Sequence, residues 1–178
     1  LINSNFISFE YMSNILVTGG LGFIGSNFIS KIINKENLVV NIDSETYASV
    51  DKSFLNFESN QNYIHYNVDI SDYQKVNEII KKYSFDKIFH FAAESHVDNS
   101  IESSFEFCNT NVIGTLNLLE SYRKLDKKYK LFIHVSTDEV FGSIRDGFFD
   151  ENSNYKPNSP YSASKASSDH FVRAYFET

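Results

Sequence analysis

Ile15-Leu16-Val17-Thr18-Gly19-Gly20-Leu21-Gly22-Phe23-Ile24-Gly25 is the stretch on which the fold turns. A short apolar run leads into glycines at three-residue spacing, Gly19, Gly22 and Gly25. Beyond them Ile24, Phe28, Ile29, Ile32 and Ile33 fall on one helical face. Strand, glycine turn and helix in that order allow a tight turn, close backbone approach to a pyrophosphate, and close helix–strand packing. The helix start also offers free N–H groups and a partial positive charge to phosphate. A second apolar run, Leu38 to Ile42, ends at Asp43, 18 residues beyond Gly25. A carboxylate there can accept both ribose hydroxyls of NAD and would repel a 2′-phosphate.

The same alternation continues outward. Tyr63–Val68, Lys87–Phe91 and Leu131–Val135 read as further strands, with helices around Val76–Tyr83 and onward from about Asn109. Ser159 and Pro160 make an N-cap and first helical position for a last helix running to about Phe176. Strands apolar on both faces, alternating with helices, predict an α/β fold: a Rossmann-type doubly wound parallel sheet covered by helices. The 18 residues Gly142–Ser159 are left as a long loop between two chemically loaded blocks.

Bulk properties narrow the class. The 178 residues suit one domain with a real core, and 42% hydrophobic content argues against disorder. The net charge of −7, with scattered basic residues, argues against nucleic acid as a partner. Cys108 is the one cysteine, so no internal disulfide forms and a reducing cytoplasm is expected. No apolar run reaches the ~18 residues of a membrane span. Residues 1–11 lack the features of a signal peptide; Met12 reads as a natural start, with 1–11 as an upstream extension. No metal site is expected.

The chemistry gathers in Val135-Ser136-Thr137-Asp138-Glu139-Val140-Phe141-Gly142 and Tyr161-Ser162-Ala163-Ser164-Lys165. Tyr161 and Lys165, four apart at a helix start, share a face. A free tyrosine is a poor base at neutral pH, but a neighbouring ammonium lowers its pKa. The pair is therefore expected to take a proton from a substrate hydroxyl as hydride leaves, with Thr137 holding the same hydroxyl. Spacing alone is weak. Tyr83 and Lys87 have it too and are read as structural. Asp138 and Glu139 are sharper: a plain alcohol dehydrogenase needs neither. Beside a newly made ketone, one carboxylate removes the acidic neighbouring hydrogen and one acid protonates the departing hydroxyl, if the two are differently solvated.

These blocks, with His90-Phe91-Ala92-Ala93-Glu94-Ser95-His96-Val97-Asp98 and Asn111-Val112-Ile113-Gly114-Thr115, resemble the extended short-chain dehydrogenase/reductases, and among them the dTDP-glucose 4,6-dehydratases. The resemblance runs from about Met12 to the end. It implies Tyr161 as base for C4 oxidation with Lys165 and Thr137 assisting, Glu139 as the C5 base, and Asp138 as proton donor to the C6 hydroxyl. It implies NAD bound by Gly19, Gly22, Phe23, Ile24, Gly25, Asp43, Thr46, Asp69, Ile70, Ala92, Ala93, Thr110, Tyr161 and Lys165. It implies a nucleotide-sugar substrate, with dTDP-glucose favoured, contacted by Ser95 and Thr137. A homodimer built on the helix near 109–126 and the last helix is also implied; Lys127 and Lys128 are read as a solvated helix end. His90, His96 and His134 are read as structural.

Departures are Phe141 where the family has Tyr, Asn99 where it has Arg, and a length close to half the family's. Residues 12–178 are thus expected to be an incomplete NAD-binding domain, truncated before the last strand or strands and the C-terminal nucleotide-sugar domain. Remote binding energy positions the reacting carbon, so weak or no turnover is expected of this chain alone. Two other readings stay open. One is a sugar-nucleotide 4-epimerase or decarboxylase, which would share NAD, Tyr and Lys but not the acid pair. The other is a non-catalytic NAD-binding module.

Overall fold

The computed structural model describes residues 13–126 and 131–178. Met12, residues 1–11 and the Lys127–Lys128 pair lie outside the described residues. Strands β1 (Ser13–Thr18), β2 (Asn37–Asp43), β3 (Tyr63–Asn67), β4 (Lys87–His90) and β5 (Leu131–His134) form one sheet in the order β3-β2-β1-β4-β5. All neighbouring pairs are parallel, Leu16 lying opposite Val40 and Ile88. The strands match the apolar runs of the sequence to within one or two residues.

Period-2 alternation decides the two layers. Leu16, Val40, Ile42 and Ile88 face one side. There they pack with Val76, Ile79 and Ile80 of α2 (Tyr73–Tyr83) and with Leu118 and Tyr122 of a helix called α5 below. Ile15, Val17 and Val39 face the other side, against Ile29 of α1 (Phe23–Ile32), Phe57 and Tyr63. Helices on both faces make the sheet doubly wound. From β1 the chain steps outward through β2 and β3, then returns to β4 on the far side of β1. The crevice at that reversal, above the carboxyl ends of β1 and β4, is where open α/β sheets bind ligands.

Between β4 and β5 the structure adds elements that sequence periodicity did not resolve. Helices α3 (Val97–Glu102) and α4 (Ser104–Phe107) lead into a π-helical stretch, Cys108–Gly114, and then α5 (Thr115–Arg123). At the end of this stretch a side chain on Gly114 would meet Ile70 Cγ1 at 2.5 Å, so the backbone there lies against the loop after β3. Such stretches are frequent at functional sites. Thr137 caps a single 3₁₀ turn, Asp138–Phe141, and α6 (Pro160–Glu177) follows the long loop. Among the described residues no helix is long and apolar enough to cross a membrane.

Candidate active site

A cavity of about 440 Å³ opens at the topological reversal. Its floor is the glycine turn. Gly19 has φ +71, and a Cβ there would lie 2.6 Å from the Ala92 nitrogen; a Cβ on Gly25 would lie 2.2 Å from the Gly19 carbonyl oxygen. The β1 turn, the β4 turn and α1 therefore meet at backbone distance. Gly22 differs. Its φ of −71 suits any residue, and an added Cβ meets only the Gly19 oxygen at 3.3 Å. It caps α1 with no side-chain bond and no acid in the first turn, leaving the helix N–H groups to serve an anion.

β2 fixes this turn from behind. Asn41 Oδ1 accepts from Gly20 N at 2.9 Å, and Asp43 Oδ2 accepts from Leu21 N at 2.9 Å. Asp43 Oδ1 also accepts from Glu45 N at 2.9 Å and Ser49 Oγ at 3.3 Å. The carboxylate expected to receive ribose is thus already engaged at both oxygens. It shapes the turn as well as lining the cavity, its remaining lone pairs facing a ligand.

The cavity wall gathers Gly19, Gly22, Phe23, Ile24, Gly25, Asp43, Thr46, Asp69, Ile70, Ala92, Ala93, Ser95, Thr110, Tyr161 and Lys165. Phe23 and Ile24 are exposed at its mouth. Glu94 and Ser136 line it too and had no assigned role. Burial, then the charges of Glu106 and Asp69, push the Glu94 carboxyl up, against a bond from Tyr47. Asn111, buried, grips the Glu94 backbone on both sides, at 2.9 Å each, and donates to Ser164 Oγ of α6 at 2.8 Å. Nothing in the sequence marked that role beyond a polar residue inside an apolar helical run.

Three expectations about the reacting groups need correction. The Lys165 ammonium is committed to the strand and not to the Tyr161 hydroxyl by any hydrogen bond among the described residues: its Nζ donates to the Val135 carbonyl at 2.7 Å. Tyr161 is accordingly raised, not lowered, by burial and by the nearby Glu139 and Asp138 charges, although Thr137 bonds its hydroxyl. Burial also brings Lys165 down to about 8. The acid pair is not differently solvated. Asp138 and Glu139 are both exposed on the 3₁₀ turn, beside the cavity and not in its wall. Thr137 stands between, its Oγ accepting from Glu139 N at 3.3 Å.

The histidines have structural partners. Thr115 Oγ donates to the Asn111 carbonyl at 2.7 Å, so His90 Nε2 donates to Thr115 at 2.9 Å and Nδ1 accepts from Thr18 at 2.6 Å. Burial holds His90 well below the usual range, neutral. His134 lies against Ser168 and Asp169 of α6. His96 starts α3, with its ring 6.5 Å from Tyr47. The Tyr83 hydroxyl bonds that of Tyr66 at 2.8 Å, away from the cavity. Phe141 packs its ring 5.3 Å from Tyr155 and 5.4 Å from Phe149; Asn99 reaches the Tyr47 hydroxyl at 3.5 Å. Among the described residues no group of His, Cys, Asp and Glu is placed to hold a metal.

Comparison with known proteins fits this geometry. A protein of Haemophilus influenzae named dTDP-glucose 4,6-dehydratase is 47% identical over 177 residues, 94% of this chain and 52% of the relative. The dTDP-glucose 4,6-dehydratase of Streptomyces venezuelae, solved with NAD, superposes with a TM-score of 0.84 at 41% identity, over 93% of this chain and 52% of that one. The UDP-Glc/GlcNAc 4-epimerase of Campylobacter jejuni superposes almost as well, at 0.83, but at 25% identity, over 93% and 49%. Shape alone thus does not separate the two chemistries. The chain spans about half the length of the curated relatives it matches. The family model described as GDP-mannose 4,6 dehydratase covers residues 16–178, and with that match the chain belongs to this family of nucleotide-sugar enzymes.

Proposed function

We propose that residues 12–178 carry the NAD site and the reacting groups of an NAD-dependent nucleotide-sugar 4,6-dehydratase acting on dTDP-glucose. The carrying observation is the convergence on one crevice of an uncapped helix start, Tyr161 with Lys165, and Thr137-Asp138-Glu139 on a turn beside it. The glycine turn and Asp43 fit NAD, which supplies the hydride acceptor at C4 and the hydride returned to C6. The protein's own groups do the rest. Tyr161 takes the C4 hydroxyl proton while Thr137 bonds that oxygen. The phenol is raised here, so the step relies on the positive charge of Lys165 in the same cavity wall to favour the phenolate. Glu139 removes the C5 proton, made acidic by the C4 ketone. Asp138 protonates the C6 hydroxyl, which leaves as water to give a 4-keto-5,6-ene; with hydride returned to C6, Glu139 gives its proton back to C5 and completes the 4-keto-6-deoxy sugar.

The relatives' names favour dTDP, and their greater length supports a separate nucleotide-sugar domain in the working enzyme. Exposed Ile101, Phe105 and Phe176 on α3, α4 and α6 support a homodimer through these helices. The free Cys108 is compatible with a reducing, cytoplasmic setting, which is part of this reading. The 4-epimerase reading fits the shape equally well, but Asp138-Glu139 gives it two acids with no task.

The test is mass spectrometry of the chain with NAD+ and dTDP-, UDP-, CDP- or GDP-hexoses, repeated on an enzyme carrying the full relative length. We expect a dTDP product lighter by one water from the long form and little or none from this chain. In the long form, Glu139→Gln should lower dehydration about 10²- to 10⁴-fold while NADH still forms on substrate. Deuterium entering C5 from solvent at the unmodified rate would remove Glu139 from its role.

A further inference from the structure

We propose that Asp169 is the positioning residue of this site: its carboxylate holds the strand end bearing Thr137, Asp138 and Glu139 against the helix bearing Tyr161 and Lys165. The inference rests on the preceding reading for which groups react, and on geometry for the rest. Asp169 follows Lys165 by four residues and Tyr161 by eight, so all three lie along one face of α6. Asp169 Oδ2 accepts from Ser136 Oγ at 2.6 Å and from the Tyr155 hydroxyl at 2.8 Å. Its Oδ1 lies 3.2 Å from His134 Nε2. Ser168 Oγ donates to the Lys165 carbonyl at 2.8 Å, so at 3.2 Å it accepts from His134, and Nε2 carries the proton shared with Asp169.

One carboxylate thereby joins β5, the loop before α6, and α6 itself. The bond that matters most is from Ser136, next to Thr137. Further side-chain ties between this strand end and α6 are His134 to Ser168 and Lys165 to the Val135 carbonyl. The groups facing Asp169 are His134 and Ser136 from the strand, Tyr155 from the loop, and Lys165 on its own helix; the His170 ring lies behind Tyr155. Burial opposes the Asp169 charge, but the His134, Ser136 and Tyr155 bonds outweigh it, so the carboxyl stays ionised. That charge in turn favours the buried Lys165 ammonium. Replacing it with Asn leaves one acceptor oxygen where His134, Ser136 and Tyr155 now share two, and so weakens the tie at Ser136.

Amide hydrogen exchange and NAD+ titration across pH, on the wild-type chain, Asp169→Asn, Asp169→Glu and Ser136→Ala, decide it. In Asp169→Asn the amides of Val135, Glu139, Val140 and Gly142 should exchange about tenfold faster, with those of β1 and β2 unchanged. The alkaline loss of NAD+ affinity should move down by about half a pH unit or more as Lys165 loses its counter-charge. Asp169→Glu should keep the pH profile, and Ser136→Ala should show the local acceleration alone. Unchanged exchange at these amides, equal acceleration through β1 and β2, or an unshifted profile would overturn the assignment. If Asp169→Asn fails to fold, Ser136→Ala decides by the same local pattern. A wild-type chain that does not bind NAD+ would sink the functional reading, while exchange would still judge Asp169.

Discussion

Helices α1 and α6 both begin at the rim of the same cavity, and they begin in opposite ways. The first starts at Gly22 with no side-chain cap and no acid in its first turn. The second starts at Ser159 with a complete capping box: Ser162 N donates to Ser159 Oγ, and Ser159 N to Ser162 Oγ, at 3.0 Å each. Pro160 removes one further free donor. An open helix start costs stability and leaves a place for an anion. A closed one contributes stability and fixes what the first turn carries, here Tyr161 and, one turn on, Lys165. One start is thus shaped for binding and the other for precision.

The change expected to break this contrast most strongly is Gly22→Asp. The backbone there suits an ordinary residue, and an added Cβ meets one atom within 4 Å, the Gly19 carbonyl oxygen, in a tight but tolerable contact. A carboxylate at that cap should leave the unliganded fold unharmed or about 1 kcal/mol more stable. It also places a negative charge where a pyrophosphate would sit. At ~4 Å and an effective dielectric of about 20, that repulsion is about 4 kcal/mol. We expect calorimetric NAD+ affinity to fall at least a hundredfold while thermal stability holds. Affinity within a few-fold of wild type would remove the phosphate from the α1 start.

The contrast also shows what was legible in the sequence. The glycine turn declares itself because its three-residue spacing falls within one strand–turn–helix unit; what the spacing does not report is that Gly19 answers to Ala92 after β4 while Gly22 answers to no severe clash. Strands β1 and β2 declare themselves because both faces are buried and the apolar runs are unbroken; the edge strands β3 and β5 are mostly half-buried or exposed and are marked by short apolar runs alone. The reacting end was legible in residue types, not in arrangement. Tyr161 and Lys165 do share a face, but the ammonium is drawn to the Val135 carbonyl on another strand, and no spacing rule reports that. Asp138 and Glu139 were expected in unlike surroundings, yet both are exposed because the 3₁₀ turn lifts them out of the wall. Asp169 was within reach, since it continues the 161, 165 face by one more turn; its partners Ser136 and Tyr155 were not, being 33 and 14 residues away. The π-helical stretch has no signature in hydrophobic period, which separates a helix from a strand but not a wider turn from an ordinary one.

A second prediction concerns the charge enclosed by the fixed helix. Lys165 is depressed to about 8 from an ordinary 10.5. Between those values the unfolded chain binds the extra proton, so stability rises with pH in that window and the contribution is absent above it. Over pH 8 to 10 the rise should approach about 2 kcal/mol, at about 1.4 kcal/mol per unit. Above pH 10 the sign reverses through Tyr122, pushed up to about 12 by burial and keeping a proton the unfolded chain gives up. Denaturant unfolding at several pH values should show the rise in wild type and a flat profile over pH 8–10 in Lys165→Met. A rise that survives the substitution would assign it elsewhere.

The smallest expected effect, and the sharpest complement to Gly22→Asp, comes from Ser159→Ala. Ser159 Oγ accepts from Ser162 N at 3.0 Å, and the reciprocal bond from Ser159 N to Ser162 Oγ does not need the Ser159 hydroxyl. Half of the box therefore survives, and the loss should be about 1 kcal/mol of unfolding free energy. NAD+ affinity should stay within about twofold, because α6 keeps its packing on α3, α4 and the π-helical stretch. The two variants then separate the helix starts cleanly, one losing affinity without stability and the other stability without affinity. Should Ser159→Ala weaken NAD+ binding more than its stability loss accounts for, the capped start of α6 would belong to the binding site, and the division between an open and a closed helix start would fail.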